Sequence, residues 1–255
     1  MTQYPDTEAY MVNFHGGSFG SFITVLILLL LDIVKEDQDI KFSTYGNAHD
    51  LARQRLANHN KTDTTDMRYH QVYDTVGPVD PLSPLVMSSH KFPVWDDLFY
   101  YYPKCKNIIV THNYSDLPRL SGNLFFKTLV DDYYNEEELN GKTIWEEFKM
   151  RRSNTALFKN NNIETPLDLP QSDIKMLLSR FISSTSNTFR DKNTIDRPNV
   201  FYLPMSDIIH NKNKTLKMLE QITNRKVTPL IIETYNKFLL AQENLVKTKM
   251  PWVTV

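Results

Sequence analysis

Residues 10–34 constrain the fold more than any other stretch. Tyr10-Met11-Val12-Asn13-Phe14 has the make-up of a short buried strand, residues 15–21 form a glycine loop, and residues 22–34 are an apolar segment closed by Asp32 and Lys35. The chain has only seven glycines, yet Gly16, Gly17 and Gly20 fall within five positions here. A helix that starts straight after such a loop turns its unpaired backbone N–H groups and the positive end of its dipole back toward the loop. That arrangement takes an anion, typically a phosphate. The stretch therefore predicts a nucleotide-phosphate cradle, and at Gly20 a side chain is expected to fill the space where backbone meets phosphate.

One part of the commonest phosphate loop is missing. The G-x-x-x-x-G-K-[ST] loop of ATPases carries a lysine for the β and γ phosphates. Here Gly20 runs into Ser21-Phe22, and no Lys or Arg occurs between Met1 and Asp32. This argues against an ATPase or kinase.

At 255 residues and 41% hydrophobic, the chain can bury a full core and fits one large α/β domain over residues 1–255. A net charge of −1 gives no overall basic footprint for nucleic acid, so any anionic ligand must be met locally. The single cysteine, Cys105, excludes an internal disulfide framework. The apolar run from Phe22 ends at Asp32, well short of the roughly 20 residues that span a membrane. Asp6 and Glu8 precede it without a positive charge, unlike a secretory signal. The expected location is cytoplasmic.

Strand and helix signals alternate along the chain. Residues 40–45 and 85–88 read as the second and third strands, residues 94–102 as a helix stopped by Pro103, and residues 107–111 as the fourth strand, with a helix from about Leu117. Such alternation predicts a central, mostly parallel sheet covered on both faces, a three-layer sandwich. Ligands of such sheets sit at the carboxyl ends of the strands. His15, His90 and His112 each follow one of those ends and are expected to converge around the glycine loop. The spacing of His49, His59 and His70 gives no zinc pattern, and no metal is expected. Further on, apolar stripes follow Ser172, and Thr228-Pro229 opens a last helix whose Ile232, Tyr235, Phe238 and Leu239 are expected to pack inward.

Four short segments, in order, resemble the cytosolic sulfotransferases. These are Gly17-Ser18-Phe19-Gly20-Ser21, Ser88-Ser89-His90-Lys91-Phe92-Pro93, His112-Asn113-Tyr114-Ser115-Asp116 with Ser121 following, and residues 200–208. They stand where the family has its glycine loop, its K-T-H-x-P segment, its R-N-x-x-D…S segment, and its last core strand with a Y-E-D-[LM] turn. His112 comes 22 positions after His90, about the family spacing.

The resemblance implies an α/β fold with a P-loop-like glycine loop, and transfer of a sulfuryl group from 3′-phosphoadenosine 5′-phosphosulfate to a hydroxyl or amine on a small-molecule or glycan acceptor. It implies His90 as the base for the acceptor proton. Gly16, Gly17, Ser18, Phe19, Gly20, Ser21 and Phe22 would hold the 5′-phosphosulfate, the Ser18 and Ser21 hydroxyls included. His112, Arg119 and Ser121 would form the 3′-phosphate subsite, with Tyr202 also on the donor side and Asp116 structural.

The chain departs from the family at three cations. Ser18 stands where Lys or Arg is usual, Ser88 replaces the Lys before the histidine, and His112 replaces the Arg of the 3′-phosphate site. No R-K-G-x-x-G-D-W segment is found near the C-terminus, and Arg119, Lys91 and Lys127 are the nearest substitute cations. Two other readings follow: a binding module on the same fold that has lost its chemistry, and a nucleotide-sugar glycosyltransferase. The last leaves the His90 and Asp116 segments unexplained.

Overall fold

A computed structural model of the chain describes residues 6–33, 84–89, 102–125, 138–139, 142–143 and 197–249, with short runs between 146 and 172. Strand β1 (Ala9–Phe14) leads through the glycine loop into α1 (Gly20–Leu30), and β2 (Leu85–Ser89) and β3 (Lys106–Thr111) follow. A 3-10 turn (Tyr114–Asp116) opens α2 (Leu117–Phe125). The short β4 (Glu138–Leu139) and β5 (Lys142–Thr143) pair antiparallel by themselves. Strand β6 (Val200–Pro204), α3 (Met205–His210), α4 (Lys212–Thr223) and α5 (Pro229–Lys249) complete the described elements.

Four strands form one sheet in the order β2-β1-β3-β6, and every pairing in it is parallel. With its helices this is an α/β architecture. The reason lies in the strand sequences. In β1, Tyr10, Val12 and Phe14 alternate into one hydrophobic core with Ile108 and Val110 of β3 and Leu203 of β6. Met11 and Asn13 point to the opposite face and are equally buried, as a central parallel strand requires. On that second face Asn13 Nδ2 donates to Asn107 Oδ1 at 2.7 Å, so two buried amides satisfy part of each other's demand.

Helix α1 is apolar on every side and all eleven of its residues are buried, which places it in the middle of the core. It starts two residues before the expected Phe22 and stops at Leu30, where Leu31 caps it and Asp32 turns left-handed at φ 54°. Helices α4 and α5 cover α1. Leu216, Leu219 and Ile222 form the inward stripe of α4, as the sequence pattern anticipates. On α5, Tyr235 and Phe238 are buried as expected, but Ile232 is 41% exposed and Ile231 takes the inward place instead. Helical phase explains this, because Ile231 lies four and seven residues before Tyr235 and Phe238, whereas Ile232 is one residue round the helix.

Among the described residues, no helix is long and apolar enough to cross a membrane. The strand expected over residues 40–45, all but Tyr102 of the helix over 94–102, and the stripe over 174–182 lie outside the described residues.

Candidate anion site at the glycine loop

Among the described strands, β2 lies on one side of β1 and β3 on the other, so the crevice between β1 and β3 is a topological switch point. Open parallel sheets bind ligands outside the carboxyl ends of their strands at such a point. Phe14 ends β1 and Thr111 ends β3, and the next residues, His15 and His112, bring their rings to 5.9 Å with planes 66° apart. Two of the three histidines expected to converge thus do so. His90 and Lys91 lie outside the described residues, as does Lys127.

The loop is braced by its own polar groups. Ser18 N–H and Oγ both donate to His15 O, at 3.0 and 2.6 Å. The Ser18 hydroxyl and N–H therefore turn inside the loop and not, as the family resemblance implies for them, toward a ligand. His15 Nδ1 lies 2.8 Å from Gly16 O, and since a carbonyl can only accept, Nδ1 carries the proton and Nε2 the lone pair. Burial pulls the His15 pKa below its ordinary value, against the opposing pull of that bond, so the neutral ring dominates at pH 7. Asn123 of α2, fully buried, donates from Nδ2 to Gly17 O at 2.8 Å. Gly17 has φ 84°, which only glycine adopts at low cost.

Phe19 is the unusual residue of the loop. It sits at the N-cap of α1 with φ 66°, a left-handed conformation that costs a side-chain-bearing residue about 1–2 kcal/mol. Its ring is held from two sides. Phe238 of α5 meets it edge-on at 5.4 Å, and Arg119 of α2 lies over its face at 5.6 Å. Phe238 also stacks on Phe22 at 3.7 Å, so the last helix is packed directly against the first turn of α1.

That first turn has no side-chain cap, although Gly20, Ser21 and Phe22 are all buried. A buried helix start without a cap leaves donors that call for an external acceptor. Arg119 stands beside it, half-buried, with its Nε lacking a hydrogen-bond partner. Desolvation brings its pKa down to about 10, so it stays charged at neutral pH, and no carboxylate faces it among the described residues.

Gly20 has a different reason from the one its place in the loop predicts. A Cβ there would stand 1.9 Å from Phe14 Cγ and 2.4 Å from Phe14 Cβ. Close packing of α1 on β1, rather than room for a phosphate, requires glycine at this position.

The remaining expected residues are placed less directly. Ser121 is buried and gives its hydroxyl to Leu117 O of its own helix at 2.5 Å. Tyr202 lies beside Ile109, one strand beyond β3. Asp116 is structural, since its Oδ2 accepts from Asn113 N–H at 2.9 Å while Asn113 Oδ1 accepts from Ser115 and Asp116 N–H, a complete capping box. Asn123 and the left-handed Phe19 escaped the sequence reading. The one available signal for Asn123 was a lone amide a helical turn beyond Arg119.

Comparison with protein-family models returns no match, and no curated protein matches the chain significantly. The function must therefore be argued from these residues. Their arrangement can hold an anion at the start of α1 and present neutral imidazole at the mouth of the crevice.

Proposed function

We propose that the chain is a sulfotransferase-like enzyme that moves a sulfuryl group from 3′-phosphoadenosine 5′-phosphosulfate to a hydroxyl or amine acceptor. One observation carries the reading: the buried, uncapped start of α1 lies beside a half-buried Arg119 that has no acidic partner among the described residues. Helix dipole and guanidinium act in the same direction on an anion, and Arg119 stands in for cations that Ser18, Ser88 and His112 do not supply. The glycine loop after β1 is read as P-loop-like, in a three-layer sandwich.

Sulfuryl transfer is an in-line displacement. It needs positioning, donors for the charge that develops on the leaving phosphate, and a base for the acceptor proton. The Gly20, Ser21 and Phe22 N–H groups and Arg119 are the donors, His112 and Ser121 border the 3′-phosphate, and His90 is the base. On this reading His90→Ala lowers turnover by about 10²-fold or more and leaves donor affinity nearly unchanged.

The test is a titration of the full chain with adenosine 3′,5′-bisphosphate. Micromolar binding is expected, and preference for a nucleoside-diphosphate sugar would instead favour a glycosyltransferase. The three missing cations favour a second reading, a binding module on the same fold, for which the bisphosphate binds but no sulfuryl acceptor turns over.

A further inference from the structure

Helix α5 carries a polar residue where its packing calls for an apolar one. Its inward stripe is Ile231, Tyr235, Phe238, Gln242 and Val246, and every member is buried. Gln242 is 1% exposed, yet neither its Oε1 nor its Nε2 has a hydrogen-bond partner. We propose that Gln242 is a ligand-contacting residue of the anion site at the start of α1, and that it selects a ligand carrying, beside its anion, a neutral edge with an N–H donor next to an acceptor, as on an aminopurine nucleotide. The inference rests on that anion site and not on sulfuryl transfer.

The ring contacts of α5 place Gln242. Tyr235 meets Phe22 at 5.1 Å, whereas Phe238 meets Phe22 at 3.7 Å and also Phe19 at 5.4 Å. Going forward along α5 therefore means going back along α1 into the glycine loop, so the helices run antiparallel and α5 continues past the start of α1. Gln242 follows Phe238 by four residues on the same face, about 6 Å further along the axis. That sets it at the level of the loop, on the side toward which the first N–H groups of α1 point.

A buried amide without partners is costly, and Leu or Met fills the same space without that cost. Its neighbours around Phe19 share the condition. Asn123 Nδ2 is held by Gly17 O, which can only accept, so the atom left over is Oδ1, buried and without a partner. Arg119 Nε, one helical turn before it on α2, is also buried and without a partner. Donors at Arg119 Nε and Gln242 Nε2 are thus matched by acceptors at Asn123 Oδ1 and Gln242 Oε1. An inorganic anion can answer only the donors. The acceptors require a ligand that also brings N–H or O–H groups.

A glutamine amide presents its donor and acceptor side by side in one plane. The 6-amino group of adenine and the ring nitrogen next to it present the complement, and the pair is bidentate. Phe19 and Phe238 supply flat apolar surface beside the amide, which suits a planar heterocycle. Arg119, the least buried of the three polar side chains, marks the side nearest solvent.

The experiment is calorimetry of the full chain with adenosine 5′-monophosphate, with purine riboside 5′-monophosphate, which lacks the 6-amino group, and with inorganic phosphate, combined with thermal melts of the ligand-free protein. The parent is expected to prefer the adenosine nucleotide about tenfold. Gln242→Met should abolish that preference by weakening the adenosine nucleotide, leave inorganic phosphate unchanged, and melt no lower than the parent without ligand. No preference in the parent, or a preference that survives in Gln242→Met, overturns the proposal. So does a lower melting temperature in both Gln242→Met and Gln242→Leu, since the amide would then be bonded within the protein. Failure here is separable from failure of the sulfuryl reading. Adenosine 3′,5′-bisphosphate that binds Gln242→Met as tightly as the parent removes Gln242 alone, whereas a bisphosphate no tighter than the monophosphate counts against the donor and leaves the role of Gln242 standing.

Discussion

Helices α1 and α5 begin in opposite ways. At α5, Pro229 takes the first helical position and Thr228 Oγ1 accepts from Ile231 N–H at 3.4 Å, so the helix start is completed by its own side chains near solvent. At α1 the capping position is a left-handed Phe19 with no side-chain acceptor, and the first turn is buried. A chain that can cap a helix in the ordinary way does so where only stability is at stake. Where the chain spends backbone strain and, among the described residues, shows no side-chain cap and no partner for the Arg119 Nε, the contrast supports the anion site proposed above. The same packing ties the two helices together, since Phe238 of α5 lies against both Phe19 and Phe22.

The largest expected effect tests whether α1 is held by packing at its start. Gly20→Val should destabilise the protein by about 3 kcal/mol or more, because the new side chain must displace Phe14 down to its Cβ. Urea denaturation measures it. A variant of parental stability that has lost only ligand binding would return Gly20 to the role of a phosphate-side glycine.

Arg119 separates stability from binding. Arg119→Ala should weaken adenosine 3′,5′-bisphosphate by about tenfold or more, the size of a charged hydrogen bond, with a smaller loss for adenosine 5′-monophosphate. Arg119→Met keeps the stem over Phe19 and removes a desolvated charge, so the ligand-free protein should be at least as stable as the parent. Calorimetry and thermal melts read the two halves. Equal losses for both nucleotides place Arg119 away from the 3′ group.

Thr228→Ala is the control from the other helix. It should cost about 0.5–1 kcal/mol, at the low side for a cap because the hydrogen bond is long, and should leave nucleotide affinity unchanged. A change in affinity would mean that the start of α5 communicates with the loop through Phe238.

The smallest effect is Glu243→Gln on the exposed side of α5. A hydrogen bond and the charge of Lys247 hold the Glu243 carboxyl below its ordinary value of 4.5. The folded pKa is depressed, so the contribution is present above the unfolded pKa and is lost as pH falls through the folded one. Parent and variant should therefore differ slightly at neutral pH and converge in acid, as thermal melts across that range would record. A difference that grows in acid would reverse the sign of the interaction.

Much of the secondary structure was legible because it depends on local pattern. Strands β1, β2, β3 and β6 and the inward stripe of α4 follow from alternating or helical apolar spacing, and the stop of the last helix's approach at Thr228-Pro229 follows from cap chemistry. The capping role of Asp116 was legible for the same reason, as both partners lie within four residues. Ile232 was misjudged because a one-residue shift of helical phase is decided by which neighbours are available, here Phe22 against Tyr235 and Phe238.

The sequence by itself determined that a glycine loop follows a buried strand and precedes an apolar helix, and that histidines stand just past strand ends. These are properties of a few consecutive residues and of the period of side chains along the backbone. Only the tertiary structure decided the sheet order that makes β1 and β3 neighbours and so brings His15 to His112. It also decided that Ser18 braces the loop, that Gly20 yields to Phe14, and that Asn123 and Arg119 meet Gly17 and Phe19. Each is a contact between groups whose partner is selected by how the elements pack, and Asn123 reaches Gly17 across 106 positions of chain that carry no local record of the meeting.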